Sequence, residues 1–346
     1  MNVSIHIVNP TFSYLESYRF SFCMPQTKKL IVQRTDCSES LGWPNSFFVR
    51  LTNEKNESQL LEVPAHTENR YECGSVPWIA LTERPHRSTW KIPPVIFQCW
   101  KSKNVSPEMN QALDSFRSQK GYQHFLFDDE ECYKQLLMDY GQRYADAFAL
   151  LVPGAYRADF WRYCVLYKYG GIYSDAKATL YRDLDEILRP QDEMVLVRDV
   201  PASCLLNAFI ACSPGHPLLK IAIDRCLHNI ENRLYGVDPL DVTACHLLGR
   251  ALCEWKGQPD DTCVLDAGSD LTTQIFKRSG DRKYIINADG DLLLQKEYES
   301  YYKKDVDVSF HYPVLWHNKV IYYDELLAKS KPATIDEVEQ AQKTNP

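Results

Sequence analysis

Three charged side chains are placed so that they could act on one ligand: Asp159, Arg162 and Asp175. Asp159 and Arg162 are three residues apart, so on a helix they are neighbours on one face. Asp175 follows a glycine pair and a short run, Ile172-Tyr173-Ser174, that reads as a strand. It would then lie near the strand's C-terminal end, where open α/β sheets place their ligands. Carboxylates accept hydrogen bonds from hydroxyls, and a guanidinium grips carboxylate or phosphate. An acid and a base on a helix, aimed with a strand-end acid at one crevice, suit a polar, phosphorylated ligand.

The elements that must hold these groups can be read from punctuation and periodicity. Pro153 and Gly154 mark a helix entry, and helix-compatible residues run from there to Tyr169. Ala158, Trp161, Val165 and Tyr169 recur at helical spacing, which predicts one core-facing stripe. Gly170-Gly171 supplies a left-handed end. Before this helix, residues 94–98 read as a buried strand leading to Trp100. Ser106-Pro107 opens a helix over 108–119, and 124–127 is a strand before an acid-led helix at 128–140. After it, strands are expected at 194–197 and 207–211, helices at 217–233 and 239–255, and a hairpin from 284–287 and 292–294. A late strand at 311–316 and a terminal helix at 335–343 complete the expected elements. Alternating strands and helices predict an α/β class with a mixed, mostly parallel sheet.

The quoted residues also resemble a known group. Arg157-Ala158-Asp159 with Arg162, followed by Tyr169-Gly-Gly-Ile-Tyr-Ser-Asp175, is similar to the core of the sugar-transferring DXD glycosyltransferases (family 32-like). That group includes initiating α-mannosyltransferases, α-1,4-galactosyltransferases and, more remotely, glucosylating toxins. Three outlying pieces match in the same order: residues 92–101, with Trp100; residues 207–217, with Asn207; and His311-Tyr-Pro-Val-Leu-Trp316. The resemblance covers about residues 91 to 320.

The resemblance implies a GT-A-type, Rossmann-like domain over 89–346 that moves a hexose-type sugar from a UDP- or GDP-sugar to an acceptor hydroxyl on a glycan or protein, with retention of configuration. Trp100 would stack on the base, with Phe97 and Gln98 beside it. Asp159 and Arg162 would orient the sugar, Arg157, Tyr173, Ser174 and Asn207 would contact the donor, and His311 and Trp316 would close over the diphosphate. Asp175 would be catalytic and, with His311, would hold Mn²⁺ or Mg²⁺. Here the sequence departs from the pattern, because the triplet is Asp175-Ala176-Lys177 and not Asp-x-Asp. Three readings are open. Asp175 still binds metal with help from elsewhere, Lys177 replaces part of the metal's charge and is itself catalytic, or the protein is an inactive glycan- or nucleotide-sugar-binding relative. Asp183-Leu184-Asp185 is a literal Asp-x-Asp, but its setting reads as a helix start. His216 reads as a helix-entry residue.

Composition bounds the rest. A chain of 346 residues, 45% hydrophobic and 25% charged, is ordinary globular composition, and its net charge of −7 argues against a nucleic-acid surface. Twelve cysteines with no Cys-x-x-Cys pair read as reduced core thiols, Cys164, Cys226 and Cys245 among them. Neither a signal peptide nor an apolar run of about 20 residues is seen, so no membrane insertion and a cytoplasmic location are expected. That would fit bacterial or large-DNA-virus members better than membrane-anchored ones. Residues 1–88 follow a different pattern. Short strand-like runs between turn clusters predict a small all-β N-terminal domain there, with a linker at 82–89. Its aromatics could serve a sugar-binding module; a structural or oligomerisation role is the simpler alternative.

Overall fold

The computed structural model describes the backbone of residues 3–8, 20–23, 29–34, 46–53, 58–64 and 69–72. From residue 89 it describes the chain to 330, apart from 201–203, 261–267, 270 and 306. The expected linker, except Thr89, and the expected helix at 335–343 lie outside the described residues.

Six strands precede residue 89: β1 (Val3–Val8), β2 (Phe20–Cys23), β3 (Lys29–Arg34), β4 (Ser46–Asn53), β5 (Ser58–Pro64) and β6 (Asn69–Glu72). They pair antiparallel in two three-stranded sheets, ordered β1-β4-β5 and β2-β3-β6. Strand-like runs between turn clusters mark five of the six in the sequence; β6 is the addition.

The remaining strands form one ten-stranded mixed sheet. They are β7 (Val95–Cys99), β8 (Gln123–Phe127), β9 (Gly171–Ser174), β10 (Thr179–Leu180), β11 (Met194–Arg198), β12 (Phe209–Cys212), β13 (Gly268–Ser269), β14 (Thr273–Arg278), β15 (Tyr284–Ile286) and β16 (Leu292–Gln295). The order is β10-β16-β15-β14-β11-β12-β9-β7-β8, with β13 paired to β14. Parallel pairing joins β8 to β7, β7 to β9 and β11 to β14; the other pairs are antiparallel. The α/β class and mixed sheet are as expected, but the parallel share is smaller, because β12 returns antiparallel between β9 and β11 and a meander extends the far edge.

Helices cover the sheet: α1 (Pro107–Arg117), α2 (Asp129–Tyr140), α3 (Gln142–Leu150), α4 (Gly154–Tyr169), α5 (Leu184–Ile187), α6 (Pro217–Glu231), α7 (Cys245–Trp255), α8 (Tyr301–Lys304), α9 (Tyr312–His317) and α10 (Tyr323–Ser330). Their starts follow local chemistry. Ser106 Oγ accepts from the Met109 N–H at 3.2 Å, with proline next in the first turn of α1. A reciprocal pair between Asp128 and Glu131, at 2.9 and 3.0 Å, caps α2. His216 accepts from the Leu218 N–H at 3.3 Å and enters α6, as expected.

Every residue of β7, β9 and β12 is buried, so both faces of the central sheet are covered. Val95 and Phe97 join a core with Trp161, Phe127 and Tyr173, while Ile96 and Ile172 join a second core with Phe209 and Val197. Helix α4 runs through the first core, and residues 159–166 are all buried, so the single stripe expected of it is too narrow. Each such buried apolar side chain contributes about 1.5–3 kcal/mol.

The joint between α4 and β9 admits only glycine. Gly170 has φ +65° and a Cβ there would lie 2.7 Å from Pro214 Cδ; Gly171 has φ +95° and its Cβ would lie 2.5 Å from Val95 Cγ1.

Candidate functional site

Arg162 is the hub on which the charged residues converge. It sits in the second half of α4's first three turns and is 4% exposed. Its Nη2 lies 3.1 Å from Asp159 Oδ1 and 3.2 Å from Asp175 Oδ1, so one guanidinium links the helix acid to the strand-end acid. Nη1 donates to the Asn207 carbonyl, Nε donates to the Ala158 carbonyl at 3.2 Å, and the guanidinium lies 4.2 Å over the Tyr173 ring. Tyr173 in turn donates its hydroxyl to Asp175 Oδ1 at 3.2 Å. Gln98 on β7 donates to the Asp175 carbonyl at 3.2 Å, and its own Oε1 meets His124 Nε2 at 2.6 Å. This web fixes Asp175 at the end of β9.

The two acids on the hub face different surroundings. Asp159 is buried: Oδ1 accepts from Asn207 Nδ2 at 2.6 Å and Oδ2 from Thr243 Oγ1 at 2.9 Å. Burial pushes its carboxyl up to about 7 despite Arg162. Asp175 is also pressed upward by burial, but Lys177 and Arg162 outweigh that and hold it below the usual carboxylate range. Lys177 Nζ stands 3.3 Å from Asp175 Oδ2 and 4.8 Å over the Tyr301 ring. Burial disfavours its charge, yet Asp175 holds the ammonium charged well above the ordinary lysine value.

A cavity of about 380 Å³ opens at this end of the sheet. Trp100, Arg157, Arg162, Tyr173, Asp175, Lys177 and His311 line it, so seven of the expected residues share one wall system. Arg157 pairs with Asp129 at 3.0 Å. Trp100 packs edge-on to Tyr301 with ring centroids 6.1 Å apart. His311 packs at a tilt against Tyr312, and burial, then Lys177, push its pKa down.

The other expected residues do not line the cavity. Phe97 and Gln98 are fully buried in β7, and Ser174 is fully buried with its hydroxyl unpartnered. Asp159 and Asn207 engage each other, and Cys245 Sγ contacts Asn207 Oδ1 at 3.5 Å. Trp316 is elsewhere: its indole N–H donates to the Tyr235 carbonyl at 2.7 Å and its ring packs on Tyr235. The expected strand at 311–316 is helix α9, begun by His311 as its cap and Pro313 in its first turn. Asp183 does precede α5, although its side chain makes no capping hydrogen bond. Residues not expected at the cavity include Lys101, Asp129, Tyr301, Asp305, Asp307 and Phe310. Tyr301, Asp305, Asp307 and Phe310 lie in a stretch before His311 that offered no motif.

Hard divalent ions need several oxygen ligands converging on one point. After β9 the Ala178 N–H donates to the Asp175 carbonyl at 3.0 Å, closing a turn that brings Lys177 back onto Asp175. Both oxygens of that carboxylate are engaged, by Arg162, Tyr173 and Lys177. Among the described residues no group of three or more His, Cys, Asp or Glu is gathered that could hold a metal ion. The residues present, including the Asp175–His311 pair, do not fit one.

Comparison with known proteins finds likeness over part of the chain that includes the hub of this site. Residues 106–194 match the family described as a glycosyltransferase sugar-binding region containing a DXD motif. Over that stretch the chain is similar to the DXD-type glycosyltransferases. It is 30% identical over 145 residues to inositol phosphoceramide mannosyltransferase 1 of Schizosaccharomyces pombe, covering 41% of this chain and 43% of that protein. Inositol phosphoceramide mannosyltransferase 3 of the same yeast is 31% identical over 129 residues, covering 37% and 35%. The chain thus spans less than half the length of the curated relatives it matches. A solved structure, the PaToxG glycosyltransferase, aligns with a TM-score of 0.36 at 16% identity, over 49% of this chain and 72% of that one. The matched stretch runs from α1 to the start of β11 and so includes Arg157, Arg162, Asp175 and Lys177. The cytoplasmic location expected from sequence is corrected here: the relatives are fungal enzymes named for a ceramide lipid, and they overturn it. No helix among the described residues is long and apolar enough to cross a membrane.

Proposed function

We propose that this protein is a hexosyltransferase that takes a sugar from a nucleotide-sugar donor and attaches it to an acceptor hydroxyl. The observation that carries this reading is the cavity at the sheet's end, where Arg157, Arg162 and Lys177 supply cations and Trp100 supplies an aromatic wall. Cations suit a diphosphate and an indole suits a base. Arg162 is held in register by Asp159, so Asp159 acts here as a positioning residue. In the transfer, the anomeric C–O bond breaks and its electron pair leaves on the diphosphate. The acceptor oxygen forms the new bond, and its proton passes to a diphosphate oxygen. Asp175 is held by Arg162, Tyr173 and Lys177, which leaves it poorly placed as a nucleophile and favours this retaining, front-face course. The relatives' names make a mannose donor and an inositol-bearing sphingolipid acceptor the first to test.

A second reading, a binding protein that keeps the fold without transfer, is favoured by Lys177 at the second acid position. We also read residues 1–88 as a separate β domain, since their described strands pair only among themselves.

The experiment mixes the protein with a panel of UDP- and GDP-sugars, GDP-mannose included, and scores released nucleotide. Release lost on Asp175→Ala supports the transferase. Nucleotide binding without release supports the binding protein, and neither binding nor release overturns both.

A further inference from the structure

The donor set and the ion implied by the DXD resemblance disagree, and the disagreement identifies another source of charge. We propose that Lys177, seated on the Asp175 carboxylate, takes the place of a divalent ion against the donor's diphosphate, so that this cavity binds nucleoside diphosphates without metal. This rests on the nucleotide-sugar reading above.

Charge balance is the first support. A divalent ion held by two carboxylates sums to zero. Asp175 and Lys177 sum to zero with no ion at all, because the residue that would have been the second carboxylate is itself the cation. A divalent ion at Asp175 would have to sit against an ammonium only 3.3 Å from that carboxylate, and like charges in a half-buried site repel strongly.

Geometry is the second. The turn closed between Asp175 and Ala178 fixes Lys177 relative to β9, and Tyr301 packs under its ammonium. An ammonium has three donors. One direction is taken by Asp175 and one side is covered by the ring, leaving capacity for an incoming phosphate oxygen on the cavity wall. The side chain is 21% exposed, unlike a solvated surface lysine. Lys101 and Arg157 line the same cavity, so a second phosphate also meets cations.

The test is calorimetric titration of the whole protein with GDP and UDP, each against its monophosphate, in EDTA and in Mn²⁺. The wild type is expected to bind at least one diphosphate in EDTA, with an affinity changed less than about twofold by Mn²⁺. Loss of one charge-assisted hydrogen bond predicts that Lys177→Met weakens diphosphate binding about tenfold or more. Monophosphate binding should stay within about twofold. Lys177→Arg should restore most of the diphosphate affinity, and thermal melts of each variant show that it is folded. Lys177→Asp, which rebuilds two carboxylates, should bind diphosphate only when Mn²⁺ is present. Wild-type binding abolished by EDTA, or Lys177→Met equal to wild type, overturns this proposal while leaving the nucleotide-sugar reading standing. Absence of nucleotide binding in every arm overturns both.

Discussion

Asp159 and Asp175 share one arginine and titrate in opposite directions. The first is closed off by Asn207 and Thr243, and its carboxyl is pushed up to about 7; the second faces the cavity beside Lys177 and is held below the usual range. The difference lies in the number of cations each acid meets at close range. Both are pressed toward neutrality by burial, and only the one with a second cation against it stays ionised across the ordinary range. One end of the hub is therefore scaffold and the other is the charged wall of a cavity.

The comparison breaks most severely if the hub is removed. Arg162→Met leaves two buried carboxylates without their shared cation, and unfolding in urea should show a loss of about 3–5 kcal/mol. Adding Asp159→Asn to that variant should recover part of it, because the more deeply buried charge is then gone. If the double variant is no more stable than the single one, the scaffold role of Asp159 fails.

A finer probe is pH. Folded Asp159 keeps its proton to about pH 7, whereas the unfolded carboxyl releases it near 4. Folding therefore takes up a proton between those values, and this group makes stability fall as pH rises through that window, by at most about 4 kcal/mol. Asp175 has the opposite sign: its contribution is present above the ordinary carboxylate value and lost as pH falls below it. Urea midpoints from about pH 4.5 to about pH 7.5 should show a flatter or rising profile for Asp159→Asn than for the wild type. Identical slopes would mean that Asp159 is not protonated by folding.

The smallest effects separate cavity from core aromatics. Trp100→Ala should weaken nucleotide binding by about 1–3 kcal/mol if the indole carries the base. Trp316→Phe, whose ring packs on Tyr235 away from the cavity, should change nucleotide affinity by less than about 0.5 kcal/mol, whatever it does to the melting temperature. Equal losses would place the base elsewhere.

How much of this was legible in the sequence depended on whether the cause was local. Ser106-Pro107, the acid run from Asp128 and Gly170-Gly171 announce their own helix ends, and α1, α2 and the α4–β9 joint followed from them. The same locality misled at 311–316, where tyrosine, valine and tryptophan suggest a strand but Pro313 in a first turn starts α9. Helix α3 was missed because Gly141, at φ +85°, ends α2 and starts α3 with no intervening loop. The residues that convert Asp159 from a site acid into scaffold are 48 and 84 positions away, Asn207 and Thr243. No spacing rule reaches that far. Lys177 was visible as a departure, but only the turn that folds it onto Asp175 gives the departure a consequence.

The crowded glycine joint carries a consequence for how this machinery tolerates change. Asp175 hangs four residues beyond Gly171, and the backbone there is wedged between Val95 and Pro214 with no room for a methyl group. A methyl inserted at 171 acts as a shim. Every reactive group would survive it, yet the strand end that aims the carboxylate would be displaced, and misplacement of about an ångström can cost on the order of a hundredfold in rate. The alignment of the site is therefore encoded in two residues that carry no side chain at all.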